Sequence, residues 1–221
     1  MGASLERLGP APLLTLSRTP TDELRLMVKR TLDLCCAALA LVLLSPVAAA
    51  VALAVRLTSK GPVIFRQIRC GLNGRRFTLL KFRTMAVDAE SRLPEVAHLN
   101  VKEVNFKIPN DPRLTSVGGW LRRFSLDELP QFWNVLRGEM ALVGPRPALP
   151  AEVEQYERWQ RRRLRMRPGL TSLGAVEGRD ALGFEESMRL DLAYIDSWSL
   201  SLDGRILLRT IPRVLTGKGA H

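Results

Sequence analysis

The chain has 221 residues, 46% of them hydrophobic, and carries 33 Lys and Arg against 22 Asp and Glu, for a net charge of +11. This length and hydrophobic content exclude a disordered chain and suit one domain with appendages. The basic excess predicts a phosphate-bearing partner: nucleic acid, a nucleotide or an anionic membrane surface. Three cysteines without a C-x-x-C pair and two distant histidines argue against a zinc site and suit a reducing compartment.

The first segment, residues 1–20, contains three prolines and little periodicity, which predicts a mobile N-terminal tail. No short apolar core with a small-residue cleavage site occurs there, so we expect no secretory signal. Thr21, Asp22 and Glu23 then offer a helix cap followed by acidic residues in the first turn. A helix is therefore predicted to begin at this point.

The longest uncharged stretch, residues 34–55, has 22 residues and is long enough to span a bilayer. Basic residues flank both ends, so a spanning helix would place one cluster on the unfavourable side. Ser45 and Pro46 interrupt the stretch, because proline removes a backbone hydrogen bond while serine can bond to a freed carbonyl. Each half extends about 15 Å, half of a hydrocarbon core. A spanning helix and a re-entrant helix both stay open, and the Ala/Leu/Val monotony disfavours a buried soluble helix.

One carboxylate borders this apolar stretch. Asp33 lies four residues after Lys29 and three after Arg30, about one helical turn from each, so it is expected to pair with one of them. We assign it a structural role rather than a catalytic one.

Two short strand-like runs, residues 62–65 and 77–80, flank an Asn-Gly turn signal and predict a β-hairpin. Basic side chains lie within and after these runs: Arg66, Arg69, Arg75, Arg76, Lys81 and Arg83. Scattered over a surface they would be solvated. Just after a membrane segment, they could instead contact lipid phosphates.

Beyond the hairpin the chain alternates between helical patterns and loops. Helices are predicted over residues 86–98, 150–164, 185–199 and 205–214, and loops over residues 110–113 and 174–183. The turn Gly144-Pro145-Arg146-Pro147 is expected to be rigid and to present one arginine. The arginine-rich run 161–167 suits a solvated or lipid-facing surface. Four aromatic residues are interpreted as core or membrane-interface side chains: Trp120, Phe124, Phe132 and Trp133.

Two adjacent carboxylates, Asp127 and Glu128, lie in the motif SLDELPQ at residues 125–131. Ser125 and Glu128 have capping-box spacing, but Pro130 would then lose a helical hydrogen bond, so we favour Asp127 as the cap. In both registers the carboxylates lie at the positive end of a helix. A capped helix without chemistry is the simpler interpretation. The basic neighbours favour a second one, in which Asp127 attacks a phosphorus atom and Glu128 holds a divalent ion.

Five motifs, taken in order, resemble those of the bacterial sugar transferase family, the monotopic polyprenyl-phosphate phosphoglycosyl transferases. They are KFRTM at residues 81–85, NDPR at 110–113, SLDELPQ at 125–131, GPRP at 144–147 and RPGLT at 167–171. The resemblance extends from about residue 29 to the C-terminus. It implies transfer of a sugar-1-phosphate from a UDP-sugar to undecaprenyl phosphate, with release of UMP and a ping-pong mechanism through an aspartyl phosphosugar. The product would begin a surface glycan.

The resemblance also implies residue roles. Asp127 matches the nucleophile and Glu128 the Mg²⁺-coordinating partner. Phosphate- and substrate-binding positions are matched by Arg146, Arg122, Lys81, Arg83 and Arg179. The break at Ser45 and Pro46 matches a re-entrant membrane helix and favours that alternative.

Three residues depart from the family pattern in the loop expected to recognise the nucleotide and sugar: Ser172, Ala175 and Glu177. No large membrane domain precedes the core, so a minimal form of the family is expected.

The predicted fold is α/β and mostly helical, with a small β-hairpin. Residues 1–20 form the tail, residues 21–60 the re-entrant membrane helix region, and residues 61–221 a cytoplasmic catalytic domain with interfacial amphipathic helices. The expected location is the bacterial inner (cytoplasmic) membrane, with this domain on the cytoplasmic face.

The expected partners are a phospholipid membrane, a UDP-sugar, undecaprenyl phosphate and Mg²⁺, and a homodimer stays open. Nucleic acid is not expected, because no nucleic-acid-binding signature is present. The alternatives are a basic membrane-anchored binding protein without catalysis and a single-pass anchor with a structural role.

Overall fold

The computed structural model describes residues 2–8, 11–17, 22–100, 108, 111–178 and 183–217. Over these residues the chain is mostly helical and contains three two-stranded sheets. The predicted helical character is confirmed. The sequence predicted a single hairpin, so two of the sheets were missed.

One missed sheet lies in the N-terminal segment that was predicted to be a tail. Strands β1 (Gly2–Leu8) and β2 (Ala11–Ser17) pair antiparallel, with Gly2 opposite Ser17. Proline did not prevent this pairing, because each strand of a two-stranded ribbon has an edge where a missing N–H is tolerated. The mobility of this segment stays a prediction.

Two consecutive helices carry the apolar stretch: α1 (Glu23–Leu43) and α2 (Ser45–Thr58). Helix α1 begins where predicted, since the Asp22 side chain accepts from the backbone N–H of Arg25 at 3.1 Å. Among the described residues, no single helix has both the length and the apolar composition needed to cross a membrane. The two helices taken together, which are bent by 61°, meet these criteria.

The bend lies at the predicted break. The Ser45 hydroxyl donates to the carbonyl of Val42 at 2.8 Å, which satisfies an acceptor at the end of α1. Pro46 occupies the first turn of α2, where a missing N–H costs no helical hydrogen bond. The serine and proline therefore end one helix and start the next.

The predicted hairpin is confirmed and is longer than expected. Strands β3 (Ile64–Cys70) and β4 (Arg76–Phe82) pair antiparallel, with Phe65 opposite Lys81. The connecting turn has left-handed backbone at Asn73 (φ 55°) and Gly74 (φ 75°), residue types that tolerate this conformation.

Short elements follow the hairpin, and longer helices return near the C-terminus. The helices are α3 (Leu93–Val96), α4 (Gly118–Arg123), α5 (Gln131–Leu136), α6 (Pro150–Glu154), α7 (Leu173–Glu177), α8 (Phe184–Ser197) and α9 (Leu200–Thr216). Strands β5 (Ala141–Val143) and β6 (Gly169–Thr171) pair in parallel. Helices α8 and α9 confirm two predicted helices.

Three predicted boundaries need correction. The helix predicted over 150–164 is wrong as one element, because α6 ends at Glu154 and a separate 3₁₀ segment covers Gln160–Arg165. The loop predicted over 174–183 contains part of α7, whose cap Ser172 accepts from the N–H of Ala175 at 3.1 Å; residues 179–182 lie outside the described residues. Turns replace the first half of the helix predicted over 86–98.

Two of the three apolar clusters among the described residues join most of these elements. The larger one brings α1, the hairpin, α5, β5, α8 and α9 together around Val135, Met140 and Val143, which are fully buried. The smaller one packs Val51 and Val55 of α2 against the hairpin and α4. Because a fully buried valine contributes about 1.5–3 kcal/mol, α2 is firmly attached to the rest of the chain, while α1 adds Ala37 to the larger cluster.

Candidate active site

Asp127 and Glu128 lie in one 3₁₀ turn, Leu126–Glu128, between α4 and α5. The residue before this turn, Ser125, has left-handed backbone with φ 54°, so the chain changes direction sharply there. Neither predicted capping register occurs. Ser125 makes no side-chain cap bond, and Pro130 is the N-cap residue of α5.

Apolar packing holds this turn in place. Leu126 and Leu129, on either side of the two carboxylates, pack against the cluster that contains Val51 and Val55 of α2. Helix α2 therefore supports the backbone from which the carboxylates project.

Lys81, from strand β4, lies between the two carboxylates. Its Nζ donates to Glu128 Oε1 at 2.7 Å and lies 3.8 Å from Asp127 Oδ2. The side chain of Asp127 is 9% exposed, compared with 28% for Lys81 and 33% for Glu128. The site therefore combines one enclosed carboxylate with a glutamate and a lysine that reach solvent.

The enclosed position changes the acidity of Asp127. Burial raises its pKa to about 6, opposed by the positive charge of Lys81 and assisted by the negative charge of Glu128. A carboxylate with this pKa is still ionised at neutral pH and is more basic than an exposed aspartate. It therefore suits a nucleophilic role.

Arg122, at the end of α4, is the second basic residue at this site. Its Nε donates to Thr84 Oγ1 at 3.0 Å, and its charge favours the ionised form of Asp127. The structure thus brings Lys81 and Arg122 together with the two carboxylates, as predicted from the motifs.

The structure holds Arg146 through a different set of contacts. Its backbone N–H donates to Asp191 Oδ2 of α8 at 3.3 Å, while its side chain is exposed. Asp191 also forms a buried ion pair of 2.6 Å with Arg163. The turn therefore presents one arginine, as predicted, on a rigid base.

Sequence reasoning missed this base. Arg163 was assigned to a solvated or lipid-facing run, yet it is 5% exposed and donates to the Tyr156 hydroxyl at 2.8 Å. A signal for Asp191 was present, because it interrupts the apolar stripe of α8 formed by Met188 and Leu192. A charged residue in such a stripe requires a buried partner.

One further predicted ligand, Arg83, makes its contacts elsewhere. Arg83 is buried and donates from Nη2 to the carbonyl and hydroxyl of Ser59 at 2.9 and 2.7 Å, so it caps the C-terminal end of α2. A cavity of about 480 Å³ lies beside that end, and neither Asp127 nor Glu128 lines it. Arg179 lies outside the described residues.

Glu128 is also the predicted Mg²⁺ ligand. In the part of the chain that the structure describes, no group of three or more His, Cys, Asp and Glu side chains could hold a metal ion. Mg²⁺ at phosphate-transfer sites usually takes one or two carboxylates together with substrate phosphates and water, so two adjacent carboxylates fit as a partial donor set. For Glu128 Oε1 to bind an ion, the hydrogen bond that it accepts from the Lys81 ammonium would first have to break.

Comparisons with known proteins agree with these motifs. The model of the bacterial sugar transferase family matches residues 24–217. A UDP-glucose:undecaprenyl-phosphate glucose-1-phosphate transferase of Escherichia coli (strain K12) is 40% identical, over 98% of this chain and 46% of its own length. The exopolysaccharide production protein ExoY of Rhizobium meliloti (strain 1021) is 40% identical over 88% of each chain.

Galactosyl transferase CpsE of Streptococcus agalactiae serotype III (strain NEM316) is 43% identical, over 88% of this chain and 44% of its own length. The chain spans less than half the length of this relative and of the Escherichia coli transferase. The family match itself covers nearly all of the described residues. The chain belongs to the bacterial sugar transferase family.

Proposed function

We propose that this protein transfers a sugar-1-phosphate from a UDP-sugar to undecaprenyl phosphate, releases UMP, and so performs the first membrane step of surface-glycan synthesis. The observation that carries the proposal is the enclosed Asp127 beside the partly exposed Glu128, with Lys81 in contact with both. The names of relatives add support, among them undecaprenyl-phosphate glucose phosphotransferase and UDP-galactose-lipid carrier transferase.

In the first half-reaction a carboxylate oxygen of Asp127 attacks the phosphorus that carries the sugar. A bond forms between this oxygen and phosphorus, and the bond from phosphorus to the bridging oxygen breaks. UMP leaves with the electron pair on that oxygen. Lys81 and Arg122 stabilise the negative charge on the phosphoryl oxygens, because both already lie within the electrostatic range of Asp127.

In the second half-reaction a phosphate oxygen of undecaprenyl phosphate attacks the same phosphorus. The bond between phosphorus and the Asp127 oxygen breaks, and the free carboxylate is restored. Glu128 is the proposed Mg²⁺ ligand, and the bound ion would neutralise diphosphate charge and assist departure of UMP.

A membrane location is part of the proposal and rests on uncovered apolar side chains. Several on α1 and α2 are more than half exposed: Leu39 59%, Val42 71%, Leu43 65% and Leu53 59%. On α9, Leu208, Ile211 and Leu215 follow helical spacing along one exposed face, which is typical of an interfacial helix. Trp120 and Trp133 are also exposed, consistent with the predicted interface role.

We infer that the bent pair α1–α2 enters and leaves the bilayer by the cytoplasmic face. Leu126 and Leu129 attach the reactive turn to α2, so this placement would bring Asp127 close to the lipid headgroups. A polyprenyl phosphate and a soluble nucleotide sugar could both reach it there.

The decisive experiment uses the purified protein in detergent with Mg²⁺ and a panel of UDP-sugars, without lipid acceptor. We expect UMP release of at most one equivalent and a phosphosugar adduct visible by intact mass. Asp127→Asn should abolish both, while the control Asp88→Asn, at an exposed aspartate, should retain them. An adduct that persists in Asp127→Asn would overturn the nucleophile assignment. Binding of UDP-sugars without any adduct would favour a binding protein.

Membrane topology is tested separately with the native cysteines replaced by serine. Single cysteines are introduced by Ser4→Cys and Thr216→Cys and labelled in intact and opened cells. If the pair is re-entrant, both cysteines are labelled only in opened cells. If one label forms in intact cells, the pair spans the membrane.

A further inference from the structure

Arg122, one of the two basic side chains at the reactive carboxylates, is held by a neutral side chain. Its Nε donates to Thr84 Oγ1 at 3.0 Å. Within the described part of the chain, its two Nη groups have no protein acceptor, and the residue reaches solvent. The hydroxyl of Thr84 therefore fixes the guanidinium without neutralising its charge.

Thr84 is itself firmly held between the hairpin and α4. It is 6% exposed, and its carbonyl accepts from the N–H and the hydroxyl of Thr115 at 2.9 and 3.3 Å. Gly118, at the start of α4, approaches so closely that a Cβ atom there would overlap the Thr84 carbonyl oxygen. Because residues four apart share a helix face, Gly118 and Arg122 lie on the same side of α4. The face of α4 that carries Arg122 thus rests on Thr84.

Two carboxylates attract Arg122 electrostatically, Asp127 and Asp111. Asp111 already accepts from Arg113, whose Nη2 and Nε lie 2.7 and 2.9 Å from its two oxygens. Both members of this ion pair are almost excluded from solvent, at 6% and 5% exposed. A guanidinium released by Thr84 would be free to shift towards Asp111 and away from Asp127.

We propose that Thr84 is a positioning residue for the reaction at Asp127: its hydroxyl keeps the Arg122 guanidinium beside Asp127 and the phosphoryl group, and away from Asp111. This role rests on the proposed function. A fixed cation stabilises developing phosphoryl charge better than a mobile one, because no reorganisation is needed during the reaction. A carboxylate in place of the hydroxyl would cancel the positive charge that the phosphoryl oxygens require.

The position of Arg122 also affects the acidity of Asp127. Burial raises the pKa of Asp127, the charges of Lys81 and Arg122 oppose this shift, and Glu128 adds to it. Displacement of Arg122 should therefore raise the pKa of Asp127 further. This gives a measurement that reports on Arg122 and that packing around Thr84 alone would not change.

The first test measures how fast the phosphosugar adduct forms in a single turnover with a UDP-sugar and Mg²⁺, by intact mass. Thr84→Val has nearly the same shape but lacks the hydroxyl, and should be about 10- to 100-fold slower, the magnitude of a lost hydrogen bond to a charged group. Thr84→Ser keeps the hydroxyl and should stay within about threefold of the wild type. An unchanged rate in Thr84→Val would overturn the proposed role.

Thr115→Val is the matched control. It removes a threonine hydroxyl that donates to the backbone of Thr84 and does not bond to Arg122. Its rate should stay within about threefold of the wild type. A loss equal to that of Thr84→Val would assign the effect to packing between the hairpin and α4.

A double-mutant cycle separates positioning from structure. Arg122→Gln should also slow adduct formation, and Thr84→Val added to Arg122→Gln should slow it less than twofold further, because the hydroxyl then has no guanidinium to hold. If Thr84→Val produces its full loss in the Arg122→Gln background, Thr84 does not act through Arg122.

The last test does not depend on turnover. The difference in thermal stability between Asp127→Asn and its parent is measured across pH 4–9, with either Thr84 or Thr84→Val in both proteins. In the Thr84→Val pair, the pH at which this difference begins to shrink should rise by at least about half a unit. An unchanged pH dependence overturns the positioning of Arg122. A wild-type protein that forms no adduct would instead contradict the proposed function.

Discussion

Two clusters in this molecule have the same composition, one lysine with two carboxylates. The closed cluster consists of Lys29, Asp33 and Asp203, and the open cluster of Lys81, Asp127 and Glu128. In the closed cluster the ammonium lies 2.6 and 3.6 Å from the carboxylate oxygens, and in the open cluster 2.7 and 3.8 Å. Ion-pair distances therefore do not distinguish the closed cluster from the cluster that is proposed to react.

The clusters differ in their remaining hydrogen bonds and in access to solvent. In the closed cluster Asp203 also accepts from the Tyr194 hydroxyl at 2.6 Å and Trp198 Nε1 at 3.3 Å, and Asp33 accepts from the N–H of Leu142 at 3.1 Å. Its three charged side chains are at most 10% exposed. The closed cluster joins α1, α8, α9 and β5, whereas the open cluster keeps a glutamate and a lysine within reach of solvent. Satisfied acceptors and exclusion of water separate the closed cluster from the one that is proposed to react.

The largest expected effect comes from removing the proposed nucleophile. Asp127→Asn should lower the transfer rate at least about 10⁴-fold, because an amide cannot form the acyl phosphate. The rate is measured as UMP release from a UDP-sugar. Asp33→Asn, the matched change in the closed cluster, should leave the rate of the folded protein within about threefold. A comparable loss of rate in both variants would remove the distinction between the clusters.

The second effect compares the two lysines. Lys29→Met leaves two buried carboxylates without their cation and should destabilise the protein by about 3–5 kcal/mol in urea unfolding in detergent. Lys81→Met should cost no more than about 1 kcal/mol of stability, because its ion pairs are partly exposed. The rate of the chemical step should show the opposite order, because Lys81→Met should slow it more than Lys29→Met does. Equal destabilisation would mean that the open cluster is also structural.

The third effect is a pH dependence specific to Asp127. Its pKa of about 6 in the folded protein lies above the value of about 4 expected in the unfolded chain. The folded state therefore binds this proton more tightly, so ionisation of Asp127 destabilises the fold. This loss of folding free energy is fully present above pH 6 and disappears as the pH falls from 6 to 4.

Thermal unfolding in detergent across pH 4–8 measures this dependence. Asp127→Asn should be more stable than the wild type at pH 8, by on the order of 2–3 kcal/mol, and the difference should shrink towards pH 4. The transfer rate should fall below pH 6, approaching tenfold per pH unit, because the protonated carboxyl is not a nucleophile. A stability difference that is independent of pH would contradict the raised pKa.

The smallest effect tests a neutral hydrogen-bond partner of the closed cluster, Tyr194. The Tyr194 hydroxyl lies 2.6 Å from Asp203 Oδ1 and 3.1 Å from the carbonyl of Val143. Tyr194→Phe should lower the free energy of unfolding by about 1–3 kcal/mol, because it leaves buried acceptors with one donor fewer. The rate of UMP release by the folded protein should not change. Slower UMP release by the folded variant would instead indicate that the closed cluster acts on the site through β5.

Local sequence signals accounted for much of the fold. The cap at Asp22, the break at Ser45 and Pro46 and the turn at Asn73 were all predictable, because each depends on a residue type with a strong local backbone preference. The predicted ion pair of Asp33 with Lys29 is also local, at 3.6 Å and one helical turn apart. The region after residue 150 was predicted less well, because tertiary packing there favours short elements over one continuous helix.

The candidate site was predictable in its residues but not in its arrangement. The motif order identified Asp127, Glu128, Lys81 and Arg122. It also grouped Arg83 with them, although that guanidinium caps α2. The supports of the Arg146 turn could not be found by motif, since Asp191 and Arg163 are recognisable only once α8 is packed against the segment Gln160–Arg165.

The sequence by itself determined the family, the adjacent carboxylates, the helix break and the excess of positive charge, because these depend on residue identity and local order. Only the tertiary structure decided which of two lysine–carboxylate clusters is closed and which is open. It also decided which arginines meet the carboxylates and which cap a helix or hold a turn. The physical reason is that burial and hydrogen-bond partners are set by residues distant in the chain: Lys81 meets a glutamate 47 positions later, and Lys29 an aspartate 174 positions later.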